Sequence, residues 1–558
     1  MLCLYNSLTR KAEPFKPNED MQVKMYTCGP STYQRPHIGN YRTFLFEDIL
    51  QRYLEYLGYR VTRLITLTDV EDKAIAQAEK ERLSVEELTR RNEAIFFRDF
   101  ELLKIKMPDY TVRASAVVNQ AATLIKTLME KGYAYRYTHA GAKNVYFDPL
   151  KFGGFGKLAH LDMSKWSKKK RRFHKDTYPG TPCNKGDFIL WHGCVEGETV
   201  CWETAIGKGR PAWNIQDAAM VTKHLGFSVD VACGGIDNLV RHHDYTLAVA
   251  EGVSGKEFAK YWLHGAHLFV DGKKMSKSKG NVLTPMHLLD QYGADGVRYW
   301  SASARLGTDT AFDEDSLKNG KKLVTKIFNA GKFVLGLKGE EQEITFELDR
   351  AFLHRLKQTA ARANAAFEKM DYGAALTEIK QCFWNDFTDE YLELVKSRAY
   401  NAEDSKGQGS ALATLRLGLS VFLRLFAPFL PYVCEEVWSW YFAQKNNQKS
   451  VHLAPYPQES DFQAAQPPAS PDCFEAAGIC RGLINQKKTE AAKSVGHEIE
   501  FAEFSCDNAT IALLKTVSDD FKASCKIQEL SLKVEENQTL SEEEKARMGI
   551  KLIDVRFK

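Results

Sequence analysis

Along residues 21 to 80 the apolar positions change period twice. VKMYTCG (23–29) and YRVTRLITLTD (59–69) are short runs of apolar, β-branched and aromatic residues, whereas Tyr41 to Leu57 repeats its apolar residues at helical spacing. Strand, helix, strand is the order of a parallel unit, so the segment outlines a doubly wound, Rossmann-like α/β fold. Residues 85 to 135 read as helical through VEELTRRNEAIFFRDFELLKI and VVNQAATLIKTLMEKG, after which the pattern becomes irregular. Tyr146 to Cys201 reads as an insertion between two halves of one sheet, bounded at about residues 140 and 210. From Trp213 the alternation resumes, with a helix through Asp217 to His224, a strand at SVDVAC (228–233), a Gly-Gly turn, a helix through His242 and a strand-like run from His267 to Val270.

After about Thr310 the period becomes helical throughout. Leu317 to Leu337, Leu348 to Lys369, Tyr372 to Val395 and Ala411 to Gln444 predict an all-α bundle. PYPQESDFQAAQPPASPD (455–472) is rich in Pro, Ser and Gln and reads as a flexible linker. Residues 473–558 begin with a helix and then mix short strands and helices, a small α+β unit. The expected domains are therefore residues 1–316, 317–454 and 473–558, with 455–472 as linker.

A chain of 558 residues exceeds one hydrophobic core, and a net charge of +4 permits a polyanionic partner without requiring one. Twelve cysteines with no CxxC pair suggest reduced thiols and not a disulfide framework. No signal-peptide pattern opens the chain and no apolar run reaches about 18 residues, so the expectation is a cytoplasmic protein with no membrane partner.

Two short segments carry chemistry. PHIGN (36–40) falls where the first strand meets its helix, so His37, Asn40 and backbone N–H groups at a helix start can meet phosphate oxygens. Gly39 lets the backbone approach a nucleotide. KMSKSKGN (274–281) places Lys274 and Lys277 three residues apart on a loop, where both ammonium groups can neutralise charge on a departing pyrophosphate. The pair, more than 200 residues apart, resembles the HIGH and KMSKS motifs of the class I aminoacyl-tRNA synthetases.

The likeness runs further. VKMYTCGPSTYQRPHIGNYRTFLFEDILQRYLEYLGY, ITLTDVEDKAI, GRPAWNIQDAAM, GGIDN, RHHD and KYWLHG resemble the cysteinyl-tRNA synthetases in order and cover most of residues 1–281. GNVLTPMHLLDQYGADGVRYW, CFWNDFTDEYLELVK and RLFAPFLPYVCEEVW resemble instead the valyl and isoleucyl enzymes and their helical anticodon-binding domain. The resemblance implies an amino acid, ATP with Mg²⁺, and tRNA as partners. It assigns His37, Asn40, Lys274 and Lys277 to catalysis and Gly39, Gly235, Asp237, Ser276 and Ser278 to ATP. The insertion is too short for a full editing domain.

It also implies an amino-acid pocket at Cys28, Thr68, Trp213, Asp217, His242 and Thr246. In the cysteinyl enzymes a zinc ion held by two Cys, one His and one Glu binds the substrate thiolate. The matching positions here are Cys28, Asp217, His242 and Thr246, so two of the four ligands survive. Zinc is therefore set aside, with Cys28, Asp217 and His242 as the metal candidates and His243 or Asp244 as substitutes for the missing group. Without zinc the basis for selecting a thiol is lost, so the substrate is expected to differ from cysteine. Trp213 serves equally as a pocket wall or as core packing.

The reaction implied is adenylation, with tRNA as acceptor. Two alternatives stay open: a synthetase-derived ligase acting on a small amine or thiol, and a non-catalytic tRNA-binding paralogue. A basic run, Lys168 to Lys175, with Trp166 and Phe173 nearby, is a nucleic-acid contact or a solvated loop.

Overall fold

A computed structural model describes residues 1–164, 186–270, 273–274, 284–535 and 541–558. These residues form two compact units: Met1–Gly320 with Phe367–Gly373, and Lys321–Ala366 with Ala374–Lys558.

In the first unit five strands form one parallel sheet. Their spatial order is Ala259–Gly265, Val229–Gly235, Gln22–Thr27, Arg60–Leu67, Tyr110–Arg113. The strands are buried on both faces, which is why their sequences are near-continuous apolar runs and not alternating ones. One face is covered by the helices Val118–Glu130, Trp213–His224 and Asp244–Ser254, the other by Ile38–Tyr56 and Val85–Leu102. Arg63 is fully buried in the sheet and is accommodated by Glu47 at 2.9 Å and the Thr27 hydroxyl at 2.9 Å.

From Gln22–Thr27 the chain first winds outward through Arg60–Leu67 and Tyr110–Arg113. It then returns on the opposite side through Val229–Gly235. The reversal opens a crevice at the carboxyl ends of Gln22–Thr27 and Val229–Gly235, where doubly wound folds receive ligands. Tyr110–Arg113 lies inside the stretch read as helical, because four residues are too few for a periodic signal.

The insertion differs from the irregular segment expected. Ala134–His139, Ala142–Phe147, Phe188–Gly193 and Gly209–Pro211 form a four-stranded antiparallel sheet that starts before residue 140. Cys194 and Cys201 are disulfide-bonded at the base of the loop between its last two strands. The expectation of reduced thiols fails at that pair, which lies seven residues apart within one loop. The basic run Lys168–Lys175, with Trp166 and Phe173, lies outside the described residues.

The second unit is helical up to Lys445. Among its helices are Glu347–Phe367, Tyr372–Gln381, Leu392–Tyr400, Ser405–Phe426 and Pro431–Ser439, with a π-helical stretch at Cys382–Tyr391. Ser405–Phe426 is long and apolar enough to cross a membrane, but most of it is buried inside the unit, as befits a core helix. Asp349 is buried and accepts hydrogen bonds from Arg398, Tyr391 and Ser410.

Residues 455–472 are not a free tether. Arg424 holds Asp461 at 2.7 Å and the Pro455 carbonyl at 3.3 Å, and Phe462 is buried. The terminal part packs Cys473–Glu490 and Asn508–Cys525 on a three-stranded sheet ordered Ile527–Val534, Ile499–Cys506, Lys551–Phe557.

Candidate active site

PHIGN folds as a helix cap. His37 is the N-cap of Ile38–Tyr56; its Nδ1 accepts the Asn40 N–H at 3.3 Å, while the Asn40 side-chain oxygen accepts the His37 N–H at 3.1 Å. With Nδ1 an acceptor, a neutral imidazole here carries its proton on Nε2. A Cβ on Gly39 would stand 3.1 Å from the His37 ring, so glycine keeps the cap compact.

Gly29 follows the central strand. Its N–H donates to the Thr66 hydroxyl at 3.1 Å, and a Cβ there would lie 1.8 Å from the Thr66 carbonyl oxygen. Only glycine permits the chain to turn against its neighbour strand at this point. On the opposite side Gly235 ends Val229–Gly235, and Asp237 lies exposed in the short turn Ile236–Asn238. Lys274 pairs through its backbone with Phe269, and Ser276, Lys277 and Ser278 lie outside the described residues.

The predicted pocket residues Cys28, Asp217 and His242 converge. They come from three separated elements, all three are buried, and their donor atoms lie within 4.8 Å of one another. Asp217 Oδ2 accepts the Tyr26 hydroxyl and is 2.9 Å from His242 Nε2. Trp213, one helical turn before Asp217, lies flat on His242 with ring centroids 4.7 Å apart. Burial would raise the Asp217 carboxyl, but His242, with hydrogen bonds from Tyr26 and Cys28, outweighs it and holds the group below the usual range. Burial and the Asp217 charge push the Cys28 thiol well up.

Thr246 and Thr68 take other partners. The Thr246 hydroxyl donates to the His242 carbonyl at 3.0 Å, one turn back in its own helix, and the Thr68 backbone pairs in parallel with the segment Pro30 to Thr32. His243 does not substitute for the missing ligand: its Nδ1 is 2.8 Å from His264 Nε2, and His264 Nδ1 is 2.8 Å from the Ser7 hydroxyl. Burial pushes His264 down to about 3 and His243 well below its ordinary value. Asp244 is not among the converging donors.

Three donors would suffice in number for an open zinc site, yet their bonding does not fit one. Asp217 Oδ2 is already shared between the Tyr26 hydroxyl and His242 Nε2, and Thr246, at the fourth position, offers no carboxylate and donates its hydroxyl to a backbone carbonyl.

Tyr26 and Asn238 were not among the predicted site residues. Tyr26 is two residues before Cys28, which directly follows the strand and still bonds to Cys233 beside it, so the two-residue spacing was the available signal. Asn238, whose amide donates to Cys28 Sγ at 3.5 Å, comes from a turn that only the sheet brings near.

The parallel sheet, with its crevice where the strand order reverses, is a doubly wound fold of the kind that receives nucleotides. Residues 14–322 match the family model described as tRNA synthetases class I (C) catalytic domain, and residues 349–500 match the anticodon-binding domain of tRNA ligase. The chain belongs to the class I tRNA synthetases. A cysteine–tRNA ligase of Chlamydia pneumoniae is 41% identical over 319 residues, 57% of this chain and 66% of that protein. One of Symbiobacterium thermophilum is 34% identical over 424 residues, 75% of this chain and 84% of that protein. A methionyl-tRNA synthetase of Mycobacterium tuberculosis bound by methionyl-adenylate shares the fold, with a TM-score of 0.60 at 16% identity over 78% of this chain and 99% of that one. Both halves of the sequence resemblance are borne out.

Proposed function

We propose that the chain activates an amino acid with ATP, taken as its Mg²⁺ complex, and passes the acyl group to a tRNA. The observation that carries this reading is the reciprocal His37–Asn40 cap, which sets the imidazole at the start of the helix that follows the central strand of the sheet. An α-carboxylate oxygen attacks the α-phosphorus, the bond to the β-phosphate breaks, and pyrophosphate leaves with the metal ion. No side chain acts as nucleophile. His37, Asn40, Lys274 and Lys277 stabilise charge on the phosphates, while Gly39 and Gly235 allow close approach and Asp237 receives the ribose hydroxyls. Ser276 and Ser278 complete the ATP loop. Cys28, Thr68, Trp213, Asp217, His242 and Thr246 surround the amino-acid side chain.

The relatives' substrate does not transfer directly. Asp217 and Thr246 stand at two of the four positions on which thiolate selection rests in the cysteinyl enzymes, so an amino acid other than cysteine is the proposed substrate. The anticodon-binding match favours tRNA over a small amine or thiol as acceptor.

Pyrophosphate exchange across the amino acids tests activation and substrate together. One non-cysteine amino acid is expected to support exchange, and robust exchange with cysteine alone would refute the substrate reading. Lys274→Ala and Lys277→Ala are expected to lower the exchange rate roughly 10²-fold or more with little change in amino-acid affinity. Unchanged turnover would remove those lysines from the mechanism.

A further inference from the structure

We propose that the side-chain pocket works without a metal, as a hydrogen-bonded reader built from Tyr26, Asp217 and His242 that selects a side chain able to donate a hydrogen bond. The inference rests on the reading that this pocket receives the amino-acid side chain.

A metal needs free lone pairs on converging donors. The Asp217 Oδ2 lone pairs are already used by the Tyr26 hydroxyl and by His242 Nε2 at 2.9 Å. With the Asp217 carboxylate as acceptor, Nε2 is the donor in that contact. In the singly protonated ring the remaining nitrogen, Nδ1, is then an acceptor. It is buried and has no partner among the described residues. Leaving such an atom unpaired costs about 1–3 kcal/mol, a cost that a bound donor removes.

No fourth ligand is at hand among the described residues. The Thr246 hydroxyl is committed to a backbone carbonyl, His243 to His264, and Asn238 donates to the Cys28 sulfur. Trp213 fixes the His242 plane by stacking on it, so the ring presents its edge in one orientation. A hydroxyl, amide or ammonium on the substrate matches that acceptor; a thiol is a weaker donor than any of these, and its thiolate has no proton to give and meets the Asp217 charge.

Metal analysis of the purified full-length protein tests this directly. The expected result is below about 0.1 zinc per chain for the natural sequence and about one for the Asp217→Cys, Thr246→Glu double variant, which restores two thiols, an imidazole and a carboxylate. About one zinc per natural chain would overturn the proposal. If the double variant does not fold, a zinc-selective chelator decides: exchange with the preferred amino acid should change less than about twofold, and a loss of about tenfold or more that added zinc restores overturns it. Absence of exchange with every amino acid would instead refute the functional reading, leaving the metal content as the measure of this one.

Discussion

Trp213 lies on His242 with ring centroids 4.7 Å apart and planes 7° from parallel, although the indole is itself 38% exposed. A half-open tryptophan stacked on a buried imidazole is a wall of the pocket more than a piece of the core. An aromatic pair of this kind contributes about 0.5–1.5 kcal/mol beyond area burial. Trp213→Ala should therefore raise the KM for the amino acid roughly threefold to tenfold in the exchange assay, with kcat changed less. An unchanged KM with a large drop in melting temperature would assign the residue to packing.

His37 has two roles that separate experimentally. As N-cap it contributes about 1 kcal/mol to stability, while as a phosphate donor its loss should cost roughly 10²–10³-fold in exchange. His37→Ala should melt only slightly lower than the natural chain and yet be nearly inactive. A variant that loses stability without losing rate would reduce the motif to a cap.

Gly29→Ala tests the close approach at the sheet crevice. The added Cβ would stand 1.8 Å from the Thr66 oxygen and 2.9 Å from Ile65 Cγ1, both parts of the central sheet. Overpacking there should cost at least about 1–3 kcal/mol, read by denaturant melts. Full stability would mean that the strand ends yield more readily than their hydrogen bonding suggests.

The Ser7–His264–His243 chain predicts an acid limb of stability. His264 titrates near 6.5 when unfolded and is pushed down to about 3 by burial when folded, so between those values the unfolded state binds the extra proton. Stability then rises with pH through this window and is lost on acidification, by about 1.4 kcal/mol per pH unit for one such group. His264→Gln should flatten the dependence of stability on pH between about 6.5 and 4. An unaltered slope would place the proton uptake elsewhere.

In the helical unit Lys322 and Lys332 are exposed on the Glu314–Gly336 helix, and Lys332 follows Phe328 by one turn, where Phe328 packs edge-on to Trp440 at 5.1 Å. Lysines beside exposed aromatic rings suit an RNA strand. Lys322→Glu with Lys332→Glu should weaken tRNA binding roughly tenfold and make its salt slope shallower by about 1 to 2. Equal affinity and slope for both proteins would move the RNA contact to another face.

Features made by neighbouring residues were legible in the sequence. HIGN is a reciprocal cap over four residues, and the long helices of the second unit announce themselves through their period. Tyr110–Arg113 was not, since a four-residue strand has no period to read, and neither was the insertion sheet, whose pairings are set by strands up to 41 residues apart, as between Phe147 and Phe188.

The sequence by itself determined the class of chemistry, because phosphate binding at a helix start uses adjacent backbone N–H groups and residues three apart. Only the tertiary structure decided the state of the pocket. Tyr26 and Asp217 are 191 residues apart, and whether a carboxylate at that position holds a metal or a hydroxyl depends on which donors the sheet order brings to its oxygens. Counting ligand types along the chain cannot reveal that, since lone pairs are spent in space and not in sequence.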